Sequence, residues 1–213
     1  IKKASQLSVE AMEEGIESIE KGKKEYEVAA VIEYKMKKNG ADKAFDTIVA
    51  SGERSSLPHG VASEKKIGDG PITMDLGAKL NKYCSDITRT VLMNPSEKME
   101  EIYEIVLEAQ KKSVEAAKPG MKAKELDKVA RDIIKEYGYG DRFYHTLGHG
   151  VGLEVHETPK ISEDSEKELK PGMIITIEPG IYIKNEGGVR IEDTVLITDD
   201  GVERLTKMKR DLR

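Results

Sequence analysis

The chain has 213 residues and a formal net charge of -5; 35% of its residues are charged, 5% are aromatic and none is tryptophan. Apolar residues still reach 38%, enough for the core of one large domain or two small ones, which excludes a disordered chain. The mild acidic excess gives no electrostatic case for nucleic acid or an anionic membrane, the single Cys84 excludes an internal disulfide, and no signal peptide or membrane span is expected.

In chain order, the first predicted element is a helix on which Val9, Met12, Ile16 and Ile19 recur at helical spacing. A second helix runs from about Glu25 to Asn39 and stops at Gly40. Strand signal, rich in Ile, Val, Thr and Tyr, follows from Ile72 to Lys79 and from Tyr83 to Leu92. Ser96 is the predicted N-cap of a third helix that carries Met99, Ile102, Val106 and Ala109 and ends before Pro119-Gly120. The fourth helix shows one apolar stripe of Leu126, Val129, Ala130, Ile133, Ile134 and Tyr137, with Gly138 at its C-terminal stop. Strand signal returns from Met173 to Glu178, Ile181 to Lys184 and Val189 to Thr198.

The order helix, helix, strands thus occurs twice. Gly22, Glu27, Gly40 and Phe45 recur as Gly120, Glu125, Gly138 and Phe143 at an offset of 98, and Thr90-Val91-Leu92 resembles Thr194-Val195-Leu196 at 104. Asp75-Leu76-Gly77 resembles Glu178-Pro179-Gly180 at 103. The expectation is an α/β (α+β) fold of one domain, built from pseudo-repeats at about 1–95 and 96–213, with sheet inside and helices outside.

Four acids sit inside strand signal: Asp75, Asp86, Glu178 and Glu192. Any one alone would read as the wet face of a strand. A hairpin centred on Leu80-Asn81 pairs positions summing to 161, which sets Asp75 opposite Asp86; one centred on Asn185 pairs positions summing to 370, which sets Glu178 opposite Glu192. Like charges directly opposite are destabilising, so a fold that does this twice calls for cations between them. Three of the four histidines, His145, His149 and His156, fall within twelve positions, and glycines flank His149. Four carboxylates and an imidazole form a hard, oxygen-rich ligand set for Mn²⁺, Co²⁺, Fe²⁺ or Zn²⁺, with too much negative charge for a single divalent ion.

The blocks Asp75-Leu-Gly-Ala, Ser85-Asp-Ile-Thr-Arg-Thr, Gly148-His-Gly-Val-Gly-Leu-Glu-Val-His-Glu, Ile177-Glu-Pro-Gly and Val189-Arg-Ile-Glu-Asp-Thr resemble the metallopeptidase family of Xaa-Pro dipeptidase (prolidase), aminopeptidase P and methionine aminopeptidase. They occur in family order over essentially the whole chain. The resemblance implies the pita-bread fold, with two related α/β halves around a central antiparallel sheet. It implies two divalent ions, Mn²⁺ or Co²⁺ first, on Asp75, Asp86, His149, Glu178 and Glu192, with Asp86 and Glu192 shared. A water activated between the ions would attack the peptide carbonyl, and Glu178 would take and return its proton. His156 would stabilise the tetrahedral oxygen and His59 would orient the substrate. His145, Lys160, Tyr182 and Arg190 would bind substrate or hydrogen-bond around the site.

The run around His149 and His156, followed by Thr158-Pro-Lys-Ile, is most similar to the prolidase and aminopeptidase P branches. The expected substrate is a short peptide with proline second. Several prolidases have Arg where this chain has Lys160, which weakens the case for strict dipeptide preference. The family's amino-terminal domain is expected to be absent, because Ile1 already stands in the first catalytic-domain helix; a piece cut from a longer protein would also begin without Met. The alternatives are a methionine or general aminopeptidase of the same fold, a metal-free amidinohydrolase, and a pita-bread binding module without peptidase activity. Intact ligands weigh against the last two. The remaining expectations are a cytoplasmic protein, no nucleic-acid or membrane partner, and room for a homodimer.

Overall fold

The computed structural model describes all residues, Ile1–Arg213. Four helices, α1 (Lys2–Glu17), α2 (Glu25–Lys38), α3 (Glu97–Ala116) and α4 (Ala123–Glu136), stand where sequence periodicity places them. Thirteen strands accompany them: β1 (Asp42–Lys43), β2 (Ile48–Ser51), β3 (Gly70–Leu76), β4 (Ala78–Leu80), β5 (Tyr83–Cys84), β6 (Ile87–Met93), β7 (Gly148–Gly150), β8 (Glu157–Ile161), β9 (Ile174–Ile177), β10 (Gly180–Ile183), β11 (Gly187–Arg190), β12 (Asp193–Ile197) and β13 (Val202–Arg204).

Helix ends follow local chemistry. Ser96 caps α3 by accepting the Met99 N–H at 3.3 Å. Glu27 and Glu125 reach back to the N–H groups of Lys24 and Lys122, at 2.7 and 3.0 Å, and start α2 and α4 in the same way. Gly40 and Gly138, with φ of +78° and +83°, end them in the left-handed region. Two expectations shift: α1 stops at Glu17, short of Ile19, and Tyr137 is a half-exposed residue just beyond α4 rather than part of its buried stripe.

The long predicted strands are broken. The first two divide into β3 with β4 and β5 with β6, and the last divides into β11 and β12. Strands β2, β7 and β8 lie in stretches that sequence pattern left unassigned. All ladders are antiparallel. Sheets run β2-β3-β6 and β1-β4-β5 in the first half, β13-β12-β9-β7-β8 in the second, with β10-β11 as a two-stranded ribbon. The helices of each half cover that half's own core, one of 16 buried residues and one of 25.

One register differs from expectation. Asp75 faces Thr88, not Asp86, and Leu80 faces Tyr83, so the pairs sum to 163 rather than 161. The turn falls one residue later, on Asn81 and Lys82, whose φ values of +50° and +73° fit a two-residue turn of the primed type. Such a slip moves pairing by two positions. Strand side chains alternate with period two, so Asp75 and Asp86 remain on one face as diagonal neighbours. In the second half the pairs sum to 370 along both β10-β11 and β9-β12.

The outer frames of the halves match bond for bond. Gly22 N–H donates to Ile67 O and Gly120 N–H to Leu169 O, both at 2.8 Å; Glu25 N–H donates to Lys65 O at 3.0 Å and Ala123 N–H to Lys167 O at 2.8 Å. Where the halves meet, Thr90 Oγ1 donates to Arg190 O at 2.9 Å and Thr194 Oγ1 donates to Asp86 O at 2.7 Å. Thr194 and Arg190 stand 104 positions after Thr90 and Asp86, so the two bonds are reciprocal. These pairs support the proposal of one domain built from two related halves, 1–95 and 96–213. No helix is long and apolar enough to cross a membrane.

Candidate active site

Breaks in the strands place three of the four acids, and the fourth, Asp75, is paired within its sheet. Asp75 is next to last in β3, Asp86 lies in the gap between β5 and β6, Glu178 between β9 and β10, and Glu192 between β11 and β12. At such breaks a side chain can be aimed without satisfying a ladder. Two glycines allow the crowding. A Cβ on Gly77 would stand 2.0 Å from the Ser85 carbonyl oxygen, and one on Gly148 would stand 2.0 Å from that of Thr176.

The four carboxylates and His149 converge on the floor of a cavity of about 580 Å³. Asp75 Oδ1, Asp86 Oδ1 and Glu192 Oε1 are buried without any hydrogen-bond donor. Orphaned buried carboxylate oxygens are costly. His149 Nδ1 lies 3.0 Å from Gly150 O, a group that only accepts, so Nδ1 carries a proton and Nε2 is left facing the acids. That nitrogen is 3.3 Å from Glu178 Oε1 and 3.7 Å from Asp86 Oδ2. One ligand atom each from Asp86, His149 and Glu192 lie within 4.8 Å of one another.

Burial, then the charges of Glu192, Asp75 and Glu178, push Asp86 well above the ordinary carboxylate range; burial, then Glu178 and Asp75, does the same to Glu192. Glu178 goes the other way. Burial would raise it, but the hydrogen bond and charge of His149 pull it down to about 2. His149 is raised in turn, because Glu178 outweighs the burial that opposes its cation. These shifts run in the direction expected of ligands gathered without their cation, and the donor set fits a divalent ion.

Comparison with known proteins agrees with this geometry. The sequence profile of metallopeptidase family M24 matches residues 1–199. The chain belongs to metallopeptidase family M24. It is 65% identical over 215 aligned positions to the Xaa-Pro dipeptidase of Pyrococcus furiosus, covering the whole of this chain and 62% of that relative. The solved prolidase of Pyrococcus horikoshii superposes with a TM-score of 0.99 at 62% identity, over 100% of this chain and 62% of that one. The X-Pro aminopeptidase of Thermotoga maritima superposes with a TM-score of 0.95 at 48% identity, over 99% and 61%. The chain thus spans about three-fifths of the length of these relatives, and its fold is the pita-bread fold.

Of the eleven residues singled out in sequence, ten line the one cavity of this M24 domain: His59, Asp75, Asp86, His145, His149, His156, Lys160, Glu178, Arg190 and Glu192. Tyr182 stands behind it, in a directed chain. Arg190 Nη1 donates to the Tyr182 oxygen at 2.9 Å, and Tyr182 O–H lies 2.9 Å from His145 Nε2. His145 Nδ1 donates to Thr146 O at 2.8 Å, and burial lowers the His145 pKa, which leaves Nε2 as the acceptor. Arg190 Nη2 also donates to Asp75 Oδ2 at 2.6 Å, and burial pushes the Tyr182 hydroxyl up to about 12 against the opposing Arg190 charge. His156 is exposed on the cavity wall with its ring 4.4 Å from that of His149; partial burial and the His149 charge lower its pKa. Lys160 pairs with His149 across β7-β8, which puts both side chains on one face.

Sequence reading missed the threonines that orient the acids. Thr88 Oγ1 donates to Glu192 Oε2 at 2.6 Å and accepts from Arg190 Nε at 3.2 Å. Thr176 Oγ1 donates to Glu178 Oε1 at 3.1 Å and accepts the His149 N–H at 3.0 Å. Thr176 lies two positions from Glu178, so strand alternation could have found it, whereas Thr88 bonds an acid 104 positions away. It also missed a buried lock beneath Glu192, in which Asp193 accepts from Arg89, Gln110, Thr206 and Arg210.

Proposed function

We propose that this M24 domain is the catalytic part of a dinuclear metal-dependent peptidase that hydrolyses Xaa-Pro bonds in short peptides. One observation carries the reading: three donor-less buried carboxylate oxygens and the His149 Nε2 beside Glu178 gather at the base of a cavity walled by His59, His156 and Lys160. Fully ionised, Asp75, Asp86, Glu178 and Glu192 set against Arg190 leave three net negative charges; one divalent ion would leave one negative charge, and two would leave one positive charge that a hydroxide would neutralise. Asp75, Asp86, His149, Glu178 and Glu192 would hold the ions, with Mn²⁺ or Co²⁺ favoured by the oxygen-rich set. When bound, the ions supply an activated water and a polarised carbonyl.

The chain's own groups do the rest. Glu178 lines the cavity and is held on Oε1 by Thr176 and His149, which places it to take a proton and return it to the leaving amine. His156 faces the developing oxyanion and His59 holds the substrate. Phe45, Pro58, Val61 and Val155 line the same cavity and suit a prolyl ring. A cytoplasmic setting and a homodimer complete the proposal, the latter supported only by resemblance.

Lys160 reads the substrate carboxylate. A guanidinium would fix its position and orientation with two bonds, whereas one ammonium on a flexible stem fixes orientation poorly. The test is a metal-reconstituted assay of the full-length protein against Xaa-Pro dipeptides, longer Xaa-Pro peptides and Met-Ala peptides, with Lys160→Arg alongside. Lys160→Arg should raise kcat/KM for dipeptides more than for longer peptides. Equal effects would remove Lys160 from carboxylate recognition. Release of Met from Met-Ala without cleavage before proline would replace the Xaa-Pro reading with methionine aminopeptidase activity.

A further inference from the structure

The loop that carries His59 is tied at both ends to one buried carboxylate that the proposed chemistry does not use. Glu25, the first residue of α2, is wholly buried. Its Oε1 accepts from both the N–H and the hydroxyl of Ser51, each at 2.8 Å. Its Oε2 accepts from the Ser63 N–H at 3.2 Å, from the Ser63 hydroxyl at 2.6 Å and from Arg54 Nη1. Arg54 then reaches across the loop, where its Nη2 donates to Val61 O at 2.9 Å. The chain leaves β2 at Ser51, makes a 3-10 turn over Gly52–Ser56, and returns at Ser63 to the same side chain. Between those points Pro58, His59 and Val61 face the cavity.

An acid in the first turn of a helix normally serves the helix's own N–H groups or its dipole. Glu25 does not bond to the N–H groups of α2; its five donors all belong to the loop. We propose that Glu25, with Arg54, is a positioning residue that sets His59 and the Pro58–Val61 wall against the substrate. The proposal rests on the reading of His59 as a substrate-facing residue. The second half also holds the loop, through Gly188 N–H to Ser55 Oγ at 2.8 Å and Tyr144 O–H to Ser56 O at 3.4 Å. Those contacts end at Ser56, and beyond it the backbone ties out of the loop are the Val61–Ile48 bridge and a long Ala62 N–H to Thr47 O bond of 3.4 Å, so freeing Glu25 should loosen the stretch from Leu57 to Ala62. All five candidate ion ligands lie on other segments, and ion binding should not change.

The experiment uses Glu25→Gln and Arg54→Met in the full-length protein, each alone and combined with His59→Ala. Hydrogen exchange over residues 57–62, Mn²⁺ titration calorimetry and Xaa-Pro dipeptide kinetics are measured on each. Expected are faster exchange over 57–62, unchanged Mn²⁺ affinity, and kcat/KM lower by about ten- to a hundredfold, the scale of a roughly 1 Å misplacement. Glu25→Gln should cost less in the His59→Ala background than in the wild type, because part of its effect passes through His59 and only the rest through the Pro58–Val61 wall. Arg54→Met keeps the four serine donors on Glu25 and gives the same pattern, smaller, if Glu25→Gln does not fold. Wild-type exchange over 57–62, or losses that multiply in the double variant, would overturn the proposal. If His59→Ala alone has wild-type kinetics, it is the role given to His59 that fails; exchange then decides the tether by itself.

Discussion

The two halves share a frame and divide the chemistry. Their helix starts are bonded alike, at Gly22, Lys24 and Glu25 in one and at Gly120, Lys122 and Ala123 in the other. Their inner faces differ. At the offset of 104 that relates Thr90 to Thr194, Asp86 corresponds to Arg190 and Thr88 to Glu192. The first half therefore presents an acid and then a hydroxyl, and the second a cation and then an acid. Thr88 and Glu192 meet directly at 2.6 Å, on the line where the halves join. Backbone bonds that any sequence can make are what stayed alike. Side chains that need only a direction were free to specialise, and the imidazole that faces the carboxylates, His149, and the guanidinium of Arg190 stand only in the second half.

The largest effect should come from removing the component that only one half supplies. His149→Ala leaves the four carboxylates without the neutral ligand and should take Xaa-Pro hydrolysis to background, with ion stoichiometry reduced. Normal turnover in that variant would break the division of labour. Next comes the junction. Thr88→Val keeps the shape of the side chain but removes the hydroxyl from Glu192 and Arg190, and ion affinity should fall about 10- to 100-fold, as for other groups that orient metal ligands. Affinity at the wild-type level would make Thr88 a packing residue only.

The smallest effect concerns stability. Asp86 and Glu192 have raised pKa values in the ion-free chain. A raised carboxyl contributes stability below its unfolded pKa, near about 4, and that contribution is lost as pH rises through the folded value. The depressed Glu178 works in the opposite sense, but only as pH falls from there toward about 2. Ion-free protein should then melt lower as pH is raised above the unfolded carboxylate range, about 4, and Mn²⁺ should restore more at the higher of two such pH values. At a hundredfold excess over Kd the gain is about 2.7 kcal/mol, and each kcal/mol is worth about 2–4 °C in a chain of this size. An equal Mn²⁺ gain at both pH values would contradict protonation of the ion ligands.

Much of this was legible in residues alone. The helices and their glycine stops, the second-half register and the four acids within strand signal follow from short patterns, and the choice of His149 as their partner came with the family resemblance. Helical periodicity, capping and the alternation of a strand are local, so a sequence window contains their cause. Even the misplaced first hairpin kept both aspartates on one face, because a turn moved by one residue shifts pairing by two.

Only the tertiary structure decided which carboxylate oxygens lack a donor, that Thr88 aims Glu192, that Arg89 is buried against Asp193, and that Glu25 grips the two ends of the His59 loop. Several of these partners stand about a hundred positions apart. Their meeting depends on both halves packing at once, and no local pattern records the outcome. A buried threonine or glutamate looks the same in sequence whether it packs, caps or positions, because what separates those roles is the group that comes to lie opposite it.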